Sequence, residues 1–326
     1  MTAATQSADR RIPGRALVTG GAGFIGSTVA DALLAAGWTV TVLDDLSSGK
    51  RAQVPAAAAF VQADIRSPEA AACIREGGFD LVCHLAAQID VRKSVADPRF
   101  DVDVNIGGTL NLVEAVRASG RPTRFLFAST GGAVYGDLVT PPNLETYAKN
   151  PESPYGIAKF SVELYLAYYA RVHGLDYIAL RFANVYGPRQ DPHGEAGVVA
   201  IFCQRLLSGT PLTVFGDGGQ TRDYVYVGDV ARAHVLAAAL PTIPAGAVDD
   251  RAFNLGTGVE TSVTDLTAAL MRASGRSVPV QHAPARPGEQ LRSFVSIAKA
   301  RAGLGWAPEQ SLETGLRHTF DWFASR

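Results

Sequence analysis

Tyr155 and Lys159 lie four residues apart in Tyr155-Gly156-Ile157-Ala158-Lys159, a spacing that puts both side chains on one face of a helix. A tyrosine is a poor base at neutral pH, because its ordinary pKa is about 10. A positive charge held beside it favours the phenolate and makes the pair a proton acceptor. Thr130, in Ala128-Ser129-Thr130-Gly131-Gly132, leaves the end of an apolar run and can place a hydroxyl next to the group that the base works on. Taken alone, Tyr–x–x–x–Lys is common on exposed helices, so the pair carries weight only if the surrounding elements bring a reaction partner to it.

Those elements are legible. Residues 16–19 form a short apolar run that enters Thr19-Gly20-Gly21-Ala22-Gly23-Phe24-Ile25-Gly26. Residues 27–36 have helical character and stop at Gly37, and residues 39–43 are β-branched and apolar, ending at Asp44-Asp45. This is a strand–turn–helix–strand unit with glycines at 20, 23 and 26. Such glycines allow a tight turn and close backbone approach to a pyrophosphate, and Phe24 and Ile25 open the helix whose N–H groups face it. An acid at the end of the second strand, Asp44 with Asp45 beside it, accepts both ribose hydroxyls of NAD and repels the 2′-phosphate of NADP. NAD is therefore the expected cofactor, against the alternative of a purely structural glycine-rich turn. Asp64-Ile65 is placed to meet the adenine, and Leu85-Ala86-Ala87 lets backbone approach the cofactor. Asn105 opens a helix at the groove, although an N-capping asparagine or a loop aspartate is the ordinary explanation for such residues.

The alternation continues. Residues 59–62, 81–85, 125–128 and 177–182 read as strands, and stretches around 69–75, 105–118 and 154–172 as helices. Short apolar strands separated by helices predict an α/β fold, a doubly wound parallel sheet of the Rossmann type with a smaller C-terminal α+β substrate domain. The pattern changes after Tyr186, where residues 188–197 and 215–221 are Gly-rich loops and residues 200–208 are helical. The expected division is a disordered extension over residues 1–14, a NAD-binding domain over 15–186, and a mainly substrate-binding part over 187–326. Segments 224–239 and 252–255 of that part return to the first domain.

Bulk properties exclude other classes. A formal net charge of −1 gives no global field for nucleic acid or an anionic membrane. The three cysteines form no CxxC pair and the six histidines have no metal-ligand spacing, so no metal site is expected. No apolar run is long enough to span a bilayer, and the polar start lacks the apolar stretch of a signal peptide. The expected location is the cytoplasm.

The segments TGGAGFIGS, HLAAQ, STGGAVYG, SPYGIAK, RFANVYGPRQDPHGEAGVVAIF, FGDGGQTRDYVYVGDV and FNLGTG together resemble the UDP-glucose 4-epimerases, within the extended short-chain dehydrogenases. That resemblance covers the chain from about residue 16 to the C-terminus. It implies that Tyr155 takes the proton of the sugar 4-hydroxyl while hydride passes from C4 to NAD⁺. The 4-keto sugar then turns over while held by its UDP, and hydride returns to the other face. Lys159 would bind the nicotinamide ribose and lower the Tyr155 pKa, and Thr130 would hydrogen-bond the 4-oxygen. On the substrate side the resemblance implies Asn184, Arg222 and Arg286 at the diphosphate, Val199 and Phe215 on uracil, and Glu289 at the uridine ribose. For Arg222 a surface ion pair with Asp223 is the alternative. Ser293, four residues after Glu289, would edge the sugar site, where a large aromatic excludes a 2-acetamido group and a small residue admits it. A homodimer is also implied, through a four-helix bundle of residues 105–118 and 154–172; otherwise both helices merely cover the sheet.

Related dehydratases and decarboxylases resemble this pattern but carry an acid directly after the active-site Thr or Ser. Here Gly131-Gly132 follow Thr130, which favours simple epimerisation. A UDP-glucuronate 4-epimerase would want a cationic partner for its C6 carboxylate, and Asp191 in the loop after Arg189 opposes that. A non-catalytic NAD-binding regulator would ordinarily have lost the Tyr155–Lys159 pair.

Overall fold

The structure, a computed structural model, describes residues 13–193, 197–285 and 290–326. Most of the expected N-terminal extension, together with Arg286 and Glu289, lies outside the described residues.

Seven strands form one parallel sheet: β1 (Arg15–Thr19), β2 (Thr39–Asp44), β3 (Ala59–Gln62), β4 (Leu81–His84), β5 (Arg124–Thr130), β6 (Asp176–Phe182) and β7 (Ala252–Leu255). Their order across the sheet is β7-β6-β5-β4-β1-β2-β3. The central strands β1, β4, β5 and β6 are buried along nearly their whole length because helices cover both sides. Alternate side chains of one strand therefore enter different cores: Ala16 and Val18 of β1 point to one, Leu17 to the other. Leu126 and Phe127 of β5 divide in the same way. On one side the helices Phe24–Ala35 and Val227–Ala239 contribute Val29, Leu33, Val230 and Ala237. On the other, Pro68–Gly77, Thr109–Ala118 and Pro154–His173 contribute Ile74, Leu112, Val116, Val162 and Leu166. Each fully buried aliphatic or aromatic side chain stabilises this sandwich by roughly 1.5–3 kcal/mol. The strand order reverses at β1, so the C-terminal ends of β1 and β4 open a crevice where their crossovers leave in opposite directions.

A third cluster of buried residues, among them Phe202, Leu206, Leu270, Leu316 and Phe320, joins helices Val198–Ser208, Val263–Ser274 and Leu312–Ala324. Beside it Thr221–Arg222 lies between Thr261–Ser262 and Arg292–Ser293 in a three-stranded sheet. Among the described residues no helix is long and apolar enough to cross a membrane.

One helix start needs correction. Asn105 does not open a helix. The helical path begins at Pro98, with Asp97 accepting from Phe100 N, and runs through a π-helical turn at Asp103–Gly108 into Thr109–Ala118. Asp97-Pro98 carries the start signal, an Asx cap followed by proline at the first helical position. The extra residue per turn falls beside the active-site crevice, where such turns often occur.

Candidate active site

The crevice holds a cavity of about 580 Å³, lined by the glycine turn, the loop after β2, the ends of β4 and β5, and the start of helix Pro154–His173. Its floor is the turn after β1. Gly20 has φ 69° and donates from its N–H to Leu43 O at 2.9 Å. A Cβ on Gly26 would stand 2.1 Å from Gly20 O, so the helix can approach the turn this closely only with glycine there. Gly23 caps helix Phe24–Ala35 and gives it no side-chain hydrogen bond. The first-turn N–H groups are thus left for an anion, as a dinucleotide diphosphate requires.

Asp44 is tied to this turn. Its Oδ2 accepts from Ala22 N at 3.0 Å and its Oδ1 from Leu46 N at 2.9 Å. Burial pushes its carboxyl above the ordinary value and the two backbone bonds pull it back. Each oxygen keeps a further acceptor site for ribose hydroxyls. Asp45 also lines the cavity and accepts from Ser47 N and Oγ. Asp64 is gripped by Arg66, whose hydrogen bonds hold its carboxyl below the usual range, and Arg66 also reaches Asp103 at 2.6 Å. Ile65, Leu85, Ala86 and Ala87 line the same cavity. These features fit NAD.

Asn105 sits one layer behind. It is buried, accepts from Gln88 N at 2.9 Å, donates to Gln88 O, and reaches Asp101 at 3.1 Å. It does not line the cavity; Gln88 does.

Tyr155 and Lys159 meet the cavity from the first turns of helix Pro154–His173. Ser153 and Pro154 fix that start, with Ser153 Oγ accepting from Gly156 N at 3.1 Å. Lys159 is 4% exposed, donates to Ala128 O at 3.0 Å, and has its Nζ 4.9 Å from the Phe127 ring centre and 5.8 Å from that of Tyr155. Burial lowers its pKa to about 8, against the charges of Asp101 and Glu163. Burial and the Asp101 charge push the Tyr155 phenol upward. Burial is the larger cause, and Asp101, fully buried on a neighbouring helix, adds to it.

Thr130 ends β5 and its Oγ1 accepts from Ala133 N at 3.2 Å, leaving its proton to donate. A Cβ on Gly131 would stand 2.9 Å from Val295 Cγ1, so glycine is needed there for packing as well as lacking an acid. Thr130, Asn184, Val199, Phe215, Arg222 and Ser293 do not line the NAD-side cavity. Arg222 and Ser293 are register partners in the three-stranded sheet, and Ser293 is buried two residues before Val295, which touches Gly131. Asn184 is exposed and Phe215 half-buried at a strand end. Val199 is closed into the third core with 1% exposure, so its side chain serves packing there instead of offering a face to a base. Asp223 gives its carboxylate to Thr257 N and Oγ1 and to Gly258 N, which accounts for its burial without Arg222.

Three features were not anticipated from sequence. Thr19 Oγ1, His84 and Thr109 Oγ1 form a buried chain at 2.7 and 2.9 Å that pins β1, β4 and the helix after the π turn. Burial drives His84 down to about 3, so it stays neutral. Ser129 bonds Glu163 at 2.5 Å, and Glu163 pairs with Arg181 at 2.6 Å, all buried. Glu163 follows Lys159 by four residues, a spacing that could have been read as the same helix face. Arg189 and Gln190 line the cavity from a loop whose composition gave no signal.

Comparisons with known proteins place the whole chain in one family. The model of the NAD dependent epimerase/dehydratase family matches residues 16–256. A UDP-glucose 4-epimerase of Mycolicibacterium smegmatis is 45% identical over 317 residues, covering 96% of this chain and 99% of the relative. The UDP-glucose 4-epimerase of Thermotoga maritima, solved with UDP-glucose, aligns with a TM-score of 0.89 at 46% identity over 95% of this chain and 99% of its own. That of Thermus thermophilus, solved with NAD, aligns at 0.87 and 46% identity over the same shares, 95% and 99%. The chain belongs to the NAD-dependent epimerase/dehydratase family, as an NAD-using isomerase like the UDP-glucose 4-epimerases.

Proposed function

We propose that this protein inverts C4 of a UDP-hexose, interconverting UDP-glucose and UDP-galactose through a transient 4-keto sugar. The observation that carries the reading is Tyr155 and Lys159 facing one cavity with the glycine turn and Asp44, while glycine, not an acid, follows Thr130. When bound, NAD supplies a reversible hydride acceptor for C4 and a positive ring that favours the ionised phenol. The N–H groups of Phe24, Ile25 and Gly26 hold its diphosphate, Asp44 its adenosine ribose, and Asp64-Ile65 its adenine. Lys159 holds the nicotinamide ribose and places its ammonium by Tyr155. The Tyr155 oxygen takes the proton of the sugar 4-hydroxyl and returns it, and the Thr130 hydroxyl donates to the 4-oxygen. On the substrate side Asn184, Arg222 and Arg286 take the diphosphate, a role suited to the guanidinium fork. Phe215 takes the uracil and Glu289 the uridine ribose. The test is turnover of UDP-galactose by purified protein with no NAD added; absence of turnover both without and with NAD would refute it.

The assembly read from the sequence is a homodimer. In support, helix Pro154–His173 exposes Ile157, Leu164, Tyr165, Tyr168 and Val172 on its outer side. A second copy of the same helix would cover that stripe in a four-helix bundle. Light scattering at micromolar protein is expected to give twice the chain mass, and a monomer mass would exclude the bundle.

Ser293 favours a second substrate. A serine cannot fill the sugar edge, and its hydroxyl can donate to an acetamido carbonyl. UDP-N-acetylglucosamine is expected to turn over beside UDP-glucose, and Ser293→Tyr to shift kcat/KM toward UDP-glucose by roughly 10-fold or more, the scale of closing space around one small group. An unchanged ratio in Ser293→Tyr would remove Ser293 as the gate.

A further inference from the structure

The loop after Tyr186 passes along the cofactor cavity in an unfavourable conformation. Arg189 has φ 73°, in the left-handed region that side chains other than glycine's disfavour. Among the described non-glycine residues only Leu46, in the loop after Asp44, shares a positive φ. Strain of this kind persists where surrounding contacts over-determine it, and it gathers at ligand clamps. The contacts here are specific. Arg189 Nη2 lies 2.7 Å from Asp31 Oδ2, on the helix that opens at the glycine turn. Its main-chain oxygen accepts from Gln53 Nε2 at 3.4 Å. The neighbouring Gln190 is nine-tenths buried and donates from Nε2 to Val185 O at 3.2 Å. Two buried atoms are left over: Arg189 Nη1 and Gln190 Oε1 have no hydrogen-bond partner. Both residues line the cavity with Gly20 and Gly23. A buried guanidinium nitrogen without an acceptor is expensive, and its natural complement is an anion.

The geometry points to Arg189 as a latch on the cofactor's diphosphate, with its guanidinium donating to a phosphate oxygen while the Asp31 pair ties the loop to the helix below. This rests on the reading that the cavity holds NAD. The latch governs retention of the cofactor and leaves the proton chemistry at Tyr155 alone. It gives a site that must regenerate its own cofactor each cycle a means of keeping it. Asp31 lies outside the cavity and is half-buried, so its part is to hold the arginine in place.

The test compares wild type with Arg189→Ala, Arg189→Gly and Asp31→Ala, all purified without added NAD. NAD per chain is measured after heat release, NAD affinity and release rate by calorimetry and dilution, and UDP affinity by calorimetry. Wild type is expected to carry NAD. Arg189→Ala should weaken NAD by roughly 10- to 100-fold, the range for losing one charge-assisted hydrogen bond, and speed its release. Arg189→Gly, which relieves the φ strain, should lose as much, because the charge is what matters. Asp31→Ala should move in the same direction by less, and UDP affinity should hold in all three. NAD retention in Arg189→Ala equal to wild type would overturn the latch, as would full recovery in Arg189→Gly. If Arg189→Ala does not fold, unchanged release from Asp31→Ala overturns it instead. Wild type that neither carries nor binds NAD would refute the reading of the cavity itself, a result distinct from NAD that is bound but indifferent to Arg189.

Discussion

Tyr155→Phe is expected to lower kcat by roughly 10²- to 10⁴-fold, the range for removing a positioned general base, while UDP affinity stays within a few-fold of wild type. The substitution removes one oxygen and little else. The ring keeps its place at the start of helix Pro154–His173, and Lys159 keeps its bond to Ala128 O at 3.0 Å. Nothing on the diphosphate or uracil side of the substrate involves this phenol in the proposed arrangement. Thr130→Val should cost less, because it removes a positioning hydrogen bond worth about 1–3 kcal/mol when buried. Turnover of Tyr155→Phe within about 10-fold of wild type would remove Tyr155 as the base, whatever happened to binding.

Much of this was readable in advance because the parallel sheet writes itself in short apolar runs. β3 and β7 begin and end where the pattern places them, and the other strands differ by at most a few residues. The glycine turn, Asp44, Tyr155 and Lys159 were readable because each is tied to a strand end or helix start by a local rule, and all of them line one cavity. What escaped depends on contacts across the fold. The helix beginning at Pro98 was missed because its π turn breaks the 3.6-residue period just where Asn105 looked like a cap. The resemblance places Val199 on uracil, and only the fold shows its side chain buried in the third core. The upward push on Tyr155 comes partly from Asp101, 54 positions earlier, and no periodicity links the two. The pairing of Arg222 with Ser293 is likewise a matter of sheet register between distant segments.

Glu163→Leu is expected to destabilise the protein by about 3–5 kcal/mol, the scale for breaking a buried ion pair by removing one partner. Glu163 and Arg181 are both wholly buried, with Nη2–Oε2 at 2.6 Å and Nε–Oε1 at 3.0 Å. Leucine would leave the guanidinium with Asp249 at 2.9 Å, Tyr135 Oη at 3.0 Å and Glu145 O at 3.1 Å, and would strand the Ser129 hydroxyl. Asp249 is partly exposed, so its charge offsets the buried cation less well. Glu163→Gln, which keeps the shape and some of the hydrogen bonds, should fall between wild type and Glu163→Leu. Urea unfolding at neutral pH measures all three, and a loss below about 1 kcal/mol in Glu163→Leu would show that Asp249 suffices for Arg181. The network also bears on the reaction, because Ser129 lies between Ala128, which holds Lys159, and Thr130. Loosening the end of β5 should therefore lower kcat more than it raises KM, and glutamine should recover part of it. The double substitution Glu163→Leu with Arg181→Met separates two physical accounts. If the single loss is the penalty of an unpaired buried charge, removing the partner as well should restore most of the stability. If the double is as unstable as the single, the stabilisation lies in the hydrogen bonds that Arg181 spreads over Tyr135, Glu145 and Asp249, and the buried pair is a hub joining β5, β6 and the loop before β7.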